Sequence, residues 1–64
     1  MSIKISMAAA RVNAGLTQKE AAEKIGVSRS TIKNWESGKT SPKYKHIGTI
    51  CGVYAMPVDC INFF

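Results

Sequence analysis

Residues 17–38 read Thr17-Gln18-Lys19-Glu20-Ala21-Ala22-Glu23-Lys24-Ile25-Gly26-Val27-Ser28-Arg29-Ser30-Thr31-Ile32-Lys33-Asn34-Trp35-Glu36-Ser37-Gly38, and they decide the fold. Thr17 followed three residues later by Glu20 is a capping box, in which each side chain satisfies the other's backbone N–H at a helix start. Behind it Ala21, Ala22 and Ile25 form an apolar face, and Gly26 ends the helix with a backbone free to take positive φ. Ser28 is a second N-cap, opening a helix from about Arg29 to Ser37 with Ile32 and Trp35 inward; Gly38 closes it.

Two short helices joined across Gly26-Val27-Ser28 meet the demands of a helix-turn-helix, placed at about residues 17–37. The first helix needs a small residue where the second crosses it, and Ala22 is there; Gly26 supplies the turn. Ala21, Ile25, Val27, Ile32 and Trp35 point between the helices, which leaves Arg29, Ser30, Lys33 and Asn34 on the outer face of the second. In this arrangement the second helix enters the DNA major groove.

Outward from the motif the period stays helical. Ile3, Met7, Ala10 and Ala14 recur as one stripe of a first helix ending near Gly15. Ser41-Pro42 reads as an N-cap with proline at the first helical position. Tyr44, Ile47, Ile50, Cys51 and Tyr54 then give the core stripe of a fourth helix, with a phosphate-donor role for Tyr44 as the alternative. Pro57 breaks the chain, and Val58 to Asn62 make a short fifth helix. Gly48 and Gly52 weaken the fourth helix and leave room for close backbone approach in the core or at a subunit contact. The expectation is an all-α, compact five-helix bundle, one domain spanning residues 1–64.

Charge is localised. Between Ser28 and Lys45 stand Arg29, Lys33, Lys39, Lys43 and Lys45 against Glu36 alone, so this stretch holds +4 of the chain's net +5. Such a segment favours an anionic partner. Enzyme chemistry is not expected: one histidine, no paired carboxylates at inward spacing and no glycine-rich phosphate loop. Cys51 and Cys60 lack metal or redox spacing, so no metal and no cofactor is expected, and Cys51 reads as a small buried hydrophobe. His46 reads as a surface residue. No apolar run is long enough for a membrane span, and no signal peptide is recognised, so a cytoplasmic location is expected.

Gly15-Leu16-Thr17-Gln18, Ala22, Ile25-Gly26-Val27-Ser28, Ser30-Thr31-Ile32, Trp35-Glu36-Ser37-Gly38 and Pro42 together resemble the XRE family, the Cro and phage-repressor type of DNA-binding domain, over nearly the whole chain. The resemblance implies a lambda-repressor-like bundle that binds operator DNA as a homodimer on two half-sites, in a bacterial or phage setting. It implies that Ser28, Arg29, Ser30 and Asn34 face base edges and that Gln18 holds a backbone phosphate and can brace the recognition helix. Lys33, Lys39 and Lys43 are assigned to phosphates, with backbone N–H groups after Gly38 and at the fourth helix start as uncharged additions. It also implies that Arg11 and Glu36 form a salt bridge from the first helix to the end of the recognition helix. Ala10 and Ala21 are small where leucine is common, and Ala55 stands where the family often has a helix-ending glycine.

A transcriptional regulator, a repressor of Cro-like design, is the leading expectation. The alternative is an antitoxin-like interaction module that binds a protein partner, a toxin or antagonist, and regulates its own promoter. The apolar residues Ile61, Phe63 and Phe64 are expected near a dimer seam.

Overall fold

A computed structural model describes residues 3–63. The elements run β1 (Ile5–Ser6), α1 (Met7–Asn13), α2 (Gln18–Ile25), α3 (Arg29–Ser37), α4 (Tyr44–Tyr54), a single 3-10 turn (Val58–Cys60) and β2 (Ile61–Asn62). The described chain is therefore mostly helical with a small parallel strand pair, rather than all-α with five helices.

Both departures lie near the ends. The first helix starts at Met7, not near Ile3, because Ser6 is extended and caps it: its Oγ accepts from Ala9 N–H at 3.0 Å. Ile3 is exposed, and Ile5 pairs with Ile61 in the parallel ladder. At the other end Pro57 is extended, and Cys60 N–H donates to the Pro57 carbonyl at 3.0 Å to close one tight turn. Five residues form too few i→i−4 bonds to offset helix nucleation. Ile61 turns extended instead and is buried against the helices.

The centre follows local rules closely. Thr17 Oγ1 accepts from Glu20 N–H at 3.1 Å, and Thr17 N–H donates to Glu20 Oε1 at 2.9 Å. Those bonds hold the Glu20 carboxyl below its ordinary pKa. Gly26 and Gly38 end α2 and α3 at φ 88° and 81°. These values favour glycine, the residue without a Cβ to clash.

The core gathers Met7, Ala10, Ala21, Ala22, Ile25, Ile32, Trp35, Ile50, Tyr54, Ile61 and Phe63. Ala10 and Ala21 are fully buried despite their size, in a cluster that also holds the large side chains of Trp35, Tyr54 and Phe63. Burying such a set is the main favourable term holding the domain together.

In α4 four expectations change. Lys43, not Ser41, is the N-cap, and Pro42 precedes the helix as a buried residue. Tyr44 is 93% exposed and is not core. His46, two residues along and hence on the opposite side of the helix, is the residue that packs inward, against Trp35. Gly48 and Gly52 are exposed, and a Cβ at either meets nothing within 4 Å, so neither serves a close approach inside the described fold.

Candidate nucleic-acid interface

The turn between α2 and α3 is fixed by three local bonds. Gly26 and Val27 N–H both donate to the Ala22 carbonyl, at 2.8 and 3.0 Å, and Ser28 Oγ accepts from Thr31 N–H at 3.1 Å. Ile32 and Trp35 anchor α3 from below. Its upper face then carries Arg29, Ser30 and Lys33, all exposed, and Asn34, half-buried. Among the described residues no side-chain hydrogen bond or ion pair engages these four. Ser28 differs, because its hydroxyl also pairs with Thr31 Oγ1 at 2.9 Å while it caps the helix.

The far end of α3 is tied to α1 and α2 through one carboxylate. Arg11 Nε donates to Glu36 Oε2 at 2.7 Å and Nη2 to Oε1 at 3.3 Å, a bidentate pair. Arg11 Nη1 also donates to the Leu16 carbonyl at 2.8 Å, and Gln18 Nε2 to Glu36 Oε1 at 3.1 Å. Only 14% of the Arg11 side chain and 8% of that of Glu36 are exposed. The bond to Glu36 raises the Arg11 pKa, so the guanidinium stays charged. In this conformation Gln18 spends its amide on Glu36, bracing α3 from the N-terminus of α2.

Beyond α3 the loop orders itself on the helix end. Gly38 N–H donates to the Trp35 carbonyl at 3.3 Å, and Lys39 and Thr40 N–H donate to the Asn34 carbonyl at 3.0 and 3.3 Å. The Lys39 and Thr40 amides after Gly38 are thus engaged within the chain. No side chain caps α4; His46 N–H donates to the Lys43 carbonyl at 2.9 Å, and among the described residues the Tyr44 and Lys45 amides remain for solvent or an anion. Lys33, Lys39, Lys43 and Lys45 are all exposed along this side of the sequence. A cavity of about 250 Å³ opens between α3 and the start of α4, with Thr31 and Trp35 on one wall and Lys43, Lys45 and His46 on the other.

His46, expected at the surface, is half-buried and meets Trp35. Its ring centroid lies 5.5 Å from that of Trp35, with the planes tilted by 50°. The signal was its neighbourhood in sequence, Lys43-Tyr44-Lys45-His46 at a helix start. At the C-terminus Ile61 and Phe63 are buried within the single chain, at 1% and 8% exposure, and Phe64 lies outside the described residues. Cys51 and Cys60 are free and half-buried, and burial pushes the Cys51 thiol pKa up, away from nucleophilic character. Among the described residues no three metal-ligating side chains gather, and no helix is long and apolar enough to cross a membrane.

Comparison with known proteins agrees with this geometry. The chain is similar to the HTH-type transcriptional activator BcrR of Enterococcus faecalis, 37% identical over 49 residues. The match takes in 77% of this chain but only 24% of that protein, so the chain spans about a quarter of its relative's length. No solved structure gives a significant match. A family model described as Helix-turn-helix matches residues 7–59, which takes in all four helices and the 3-10 turn up to Asp59. On that match and the capped, glycine-turned α2–α3 pair, the chain belongs to the XRE-type helix-turn-helix family.

Proposed function

We propose that this chain is a sequence-specific, double-stranded-DNA-binding transcriptional regulator that places α3 in the major groove. The observation that carries the reading is the outer face of α3: among the described residues Arg29, Ser30, Lys33 and Asn34 stand without side-chain partners, on a helix anchored at both ends. Arg29 suits guanine O6 and N7, and Asn34 suits adenine N6 and N7, each such pair discriminating by about 1–3 kcal/mol. Ser28 and Ser30 make shorter contacts at the helix start. Lys33, Lys39 and Lys43 set register through phosphates, and Gln18 joins them where it can do so without leaving Glu36.

The reading extends to a repressor, in which an occupied groove keeps other proteins off the promoter. It binds as a homodimer on a twofold-related operator. The seam runs by the C-terminal turn, where Val58 is 51% exposed beside the segment that holds Ile61 and Phe63. Since those two are buried in one protomer, Val58→Glu is the cleaner probe. Sedimentation of this variant as a monomer, with an unchanged helical spectrum, supports the seam, and an unchanged dimer removes it.

Selection from random duplexes tests the main reading and yields a twofold-related consensus if it holds. Arg29→Ala then relaxes preference at one base position per half-site. Lys39→Ala weakens all sequences alike and reduces the salt slope by about 1 per contact removed. Recovery of no enriched sequence at moderate salt would sink sequence specificity. Identical behaviour of the two variants overturns the division between reading and positioning residues.

A further inference from the structure

A separate cavity, of about 260 Å³, opens where the start of α1 and the end of β2 meet the end of α3 and the loop that follows it. Met7, Trp35 and Phe63 give it an apolar side, and Ser6, Glu36, Ser37, Thr40, Ser41 and Asn62 a polar one. Among the described residues no lysine, arginine or histidine lines it, although it shares Trp35, Thr40 and Ser41 with the basic cavity beside α4. None of Arg29, Ser30, Lys33 and Asn34 borders it, so the DNA-binding reading does not use it.

Local bonds leave the polar side with a mixed capacity. Ser6 Oγ accepts from Ala9 N–H at 3.0 Å, so its O–H is left to donate. Ser37 Oγ donates to the Asn34 carbonyl at 3.2 Å, so its oxygen is left to accept. The Thr40 and Ser41 hydroxyls make no side-chain hydrogen bond among the described residues and can do either. A carboxylate has roughly four lone-pair sites. Arg11 and Gln18 fill three of those on Glu36, leaving one on Oε2. An anion brings acceptors alone and finds no cation here. A cation brings donors alone and finds the lining's one carboxylate already paired with Arg11. A hydroxyl group both donates and accepts, and a ring that carries several of them also has an apolar C–H face.

We infer that this cavity binds a neutral polyhydroxylated molecule of monosaccharide size. Its C–H face lies against Trp35 and Phe63, and its hydroxyls pair with Ser6, Ser37, Thr40 and the remaining site on Glu36 Oε2. The volume is just below the range of about 300–1,000 Å³ for pockets that take drug-sized ligands, as a smaller ligand requires. Trp35 and Glu36 also seat α3, so the ligand contacts the anchors of that helix and none of its outer face.

Trp35 is the sole tryptophan of the chain, so its fluorescence reports on the cavity directly. Titration of the full chain with D-glucose, D-galactose and D-ribose gives a saturable change with at least one, at a Kd on the order of 1 mM for a ligand of about a dozen heavy atoms. Because Trp35 borders both cavities, backbone amide NMR of the wild type locates the ligand and needs no variant to fold. Shifts largest at Ser6, Ser37 and Asn62 support the site, and shifts largest elsewhere overturn it. Ser37→Leu, which crowds the lining with an apolar group, weakens binding by about tenfold or more, a loss read from the Kd ratio. His46→Ala, which alters the other cavity alone, leaves the Kd unchanged; equal weakening by both variants overturns the assignment. Inorganic phosphate and tetramethylammonium are the contrasting probes. Saturable binding of either at these residues with no sugar bound overturns the hydroxyl assignment, and so does absence of saturation with all three sugars. Every arm is read without DNA, so failure here leaves the DNA-binding reading standing.

Discussion

Tyr54 is 1% exposed, and its hydroxyl has no hydrogen-bond partner among the described residues. Burial, with a smaller push from the Glu36 charge, raises its pKa to about 12. The folded chain therefore favours the neutral phenol more than the unfolded chain does. That contribution is fully present below the ordinary tyrosine pKa near 10 and is lost as pH rises from there through the folded value. Tyr54→Phe removes an unsatisfied buried hydroxyl without breaking a bond, so it is neutral or stabilising by up to about 1 kcal/mol at pH 7. The difference from wild type in urea unfolding widens as pH passes about 10, while a difference constant with pH contradicts the buried phenol. The tyrosine's place on the apolar stripe of α4 was legible from spacing alone. Its lack of a partner was not, because hydrogen bonding across helices depends on where Arg11 and Glu36 meet.

At the scale of elements, α2 and α3 carry their own instructions and α4 does not. The capping box at Thr17, the N-cap at Ser28 and the glycines at 26 and 38 are short-range devices, and each is used as its local chemistry dictates. By contrast α4 has no side-chain cap, two exposed glycines and a C-cap, Ala55, at φ 55°. A non-glycine residue in that region costs about 1–2 kcal/mol. Ala55→Gly relieves most of it and loses part to the greater freedom of the unfolded chain, for a net gain of about 0.5–1 kcal/mol. Gly48→Ala and Gly52→Ala gain about 0.5–1 kcal/mol each, since the added methyl meets open space. Chemical denaturation of the three single variants measures this, and destabilisation by either alanine shows that its glycine is needed for packing. The exposure of Tyr44 escaped the helical pattern because period alone does not fix which side of a first turn meets the core. Trp35 decides that by engaging His46.

For the whole molecule the decisive feature is the parallel pairing of Ile5 with Ile61 and of Ser6 with Asn62. Parallel strands need a long crossover, and here the crossover is the entire helical domain. Ile61, at 1% exposure, is one of the largest fully buried side chains. Ile61→Ala is expected to cost about 2–5 kcal/mol and to lower the thermal midpoint of the whole domain in one cooperative step. A loss confined to the chain ends, with α2 and α3 melting as in wild type, contradicts that coupling. The sequence by itself determined the helix-turn-helix pair, its caps and turns, its inward and outward faces and the concentration of cations from Arg29 to Lys45. All of these follow from interactions spanning a few residues. Tertiary structure alone decided the strand pair, the exposure of Tyr44, the half-buried His46 beside the basic cavity and the tying of Lys39 and Thr40 amides to Asn34. A two-residue strand has no period to read, and these choices depend on what each segment meets when distant parts of the chain compete for one small core.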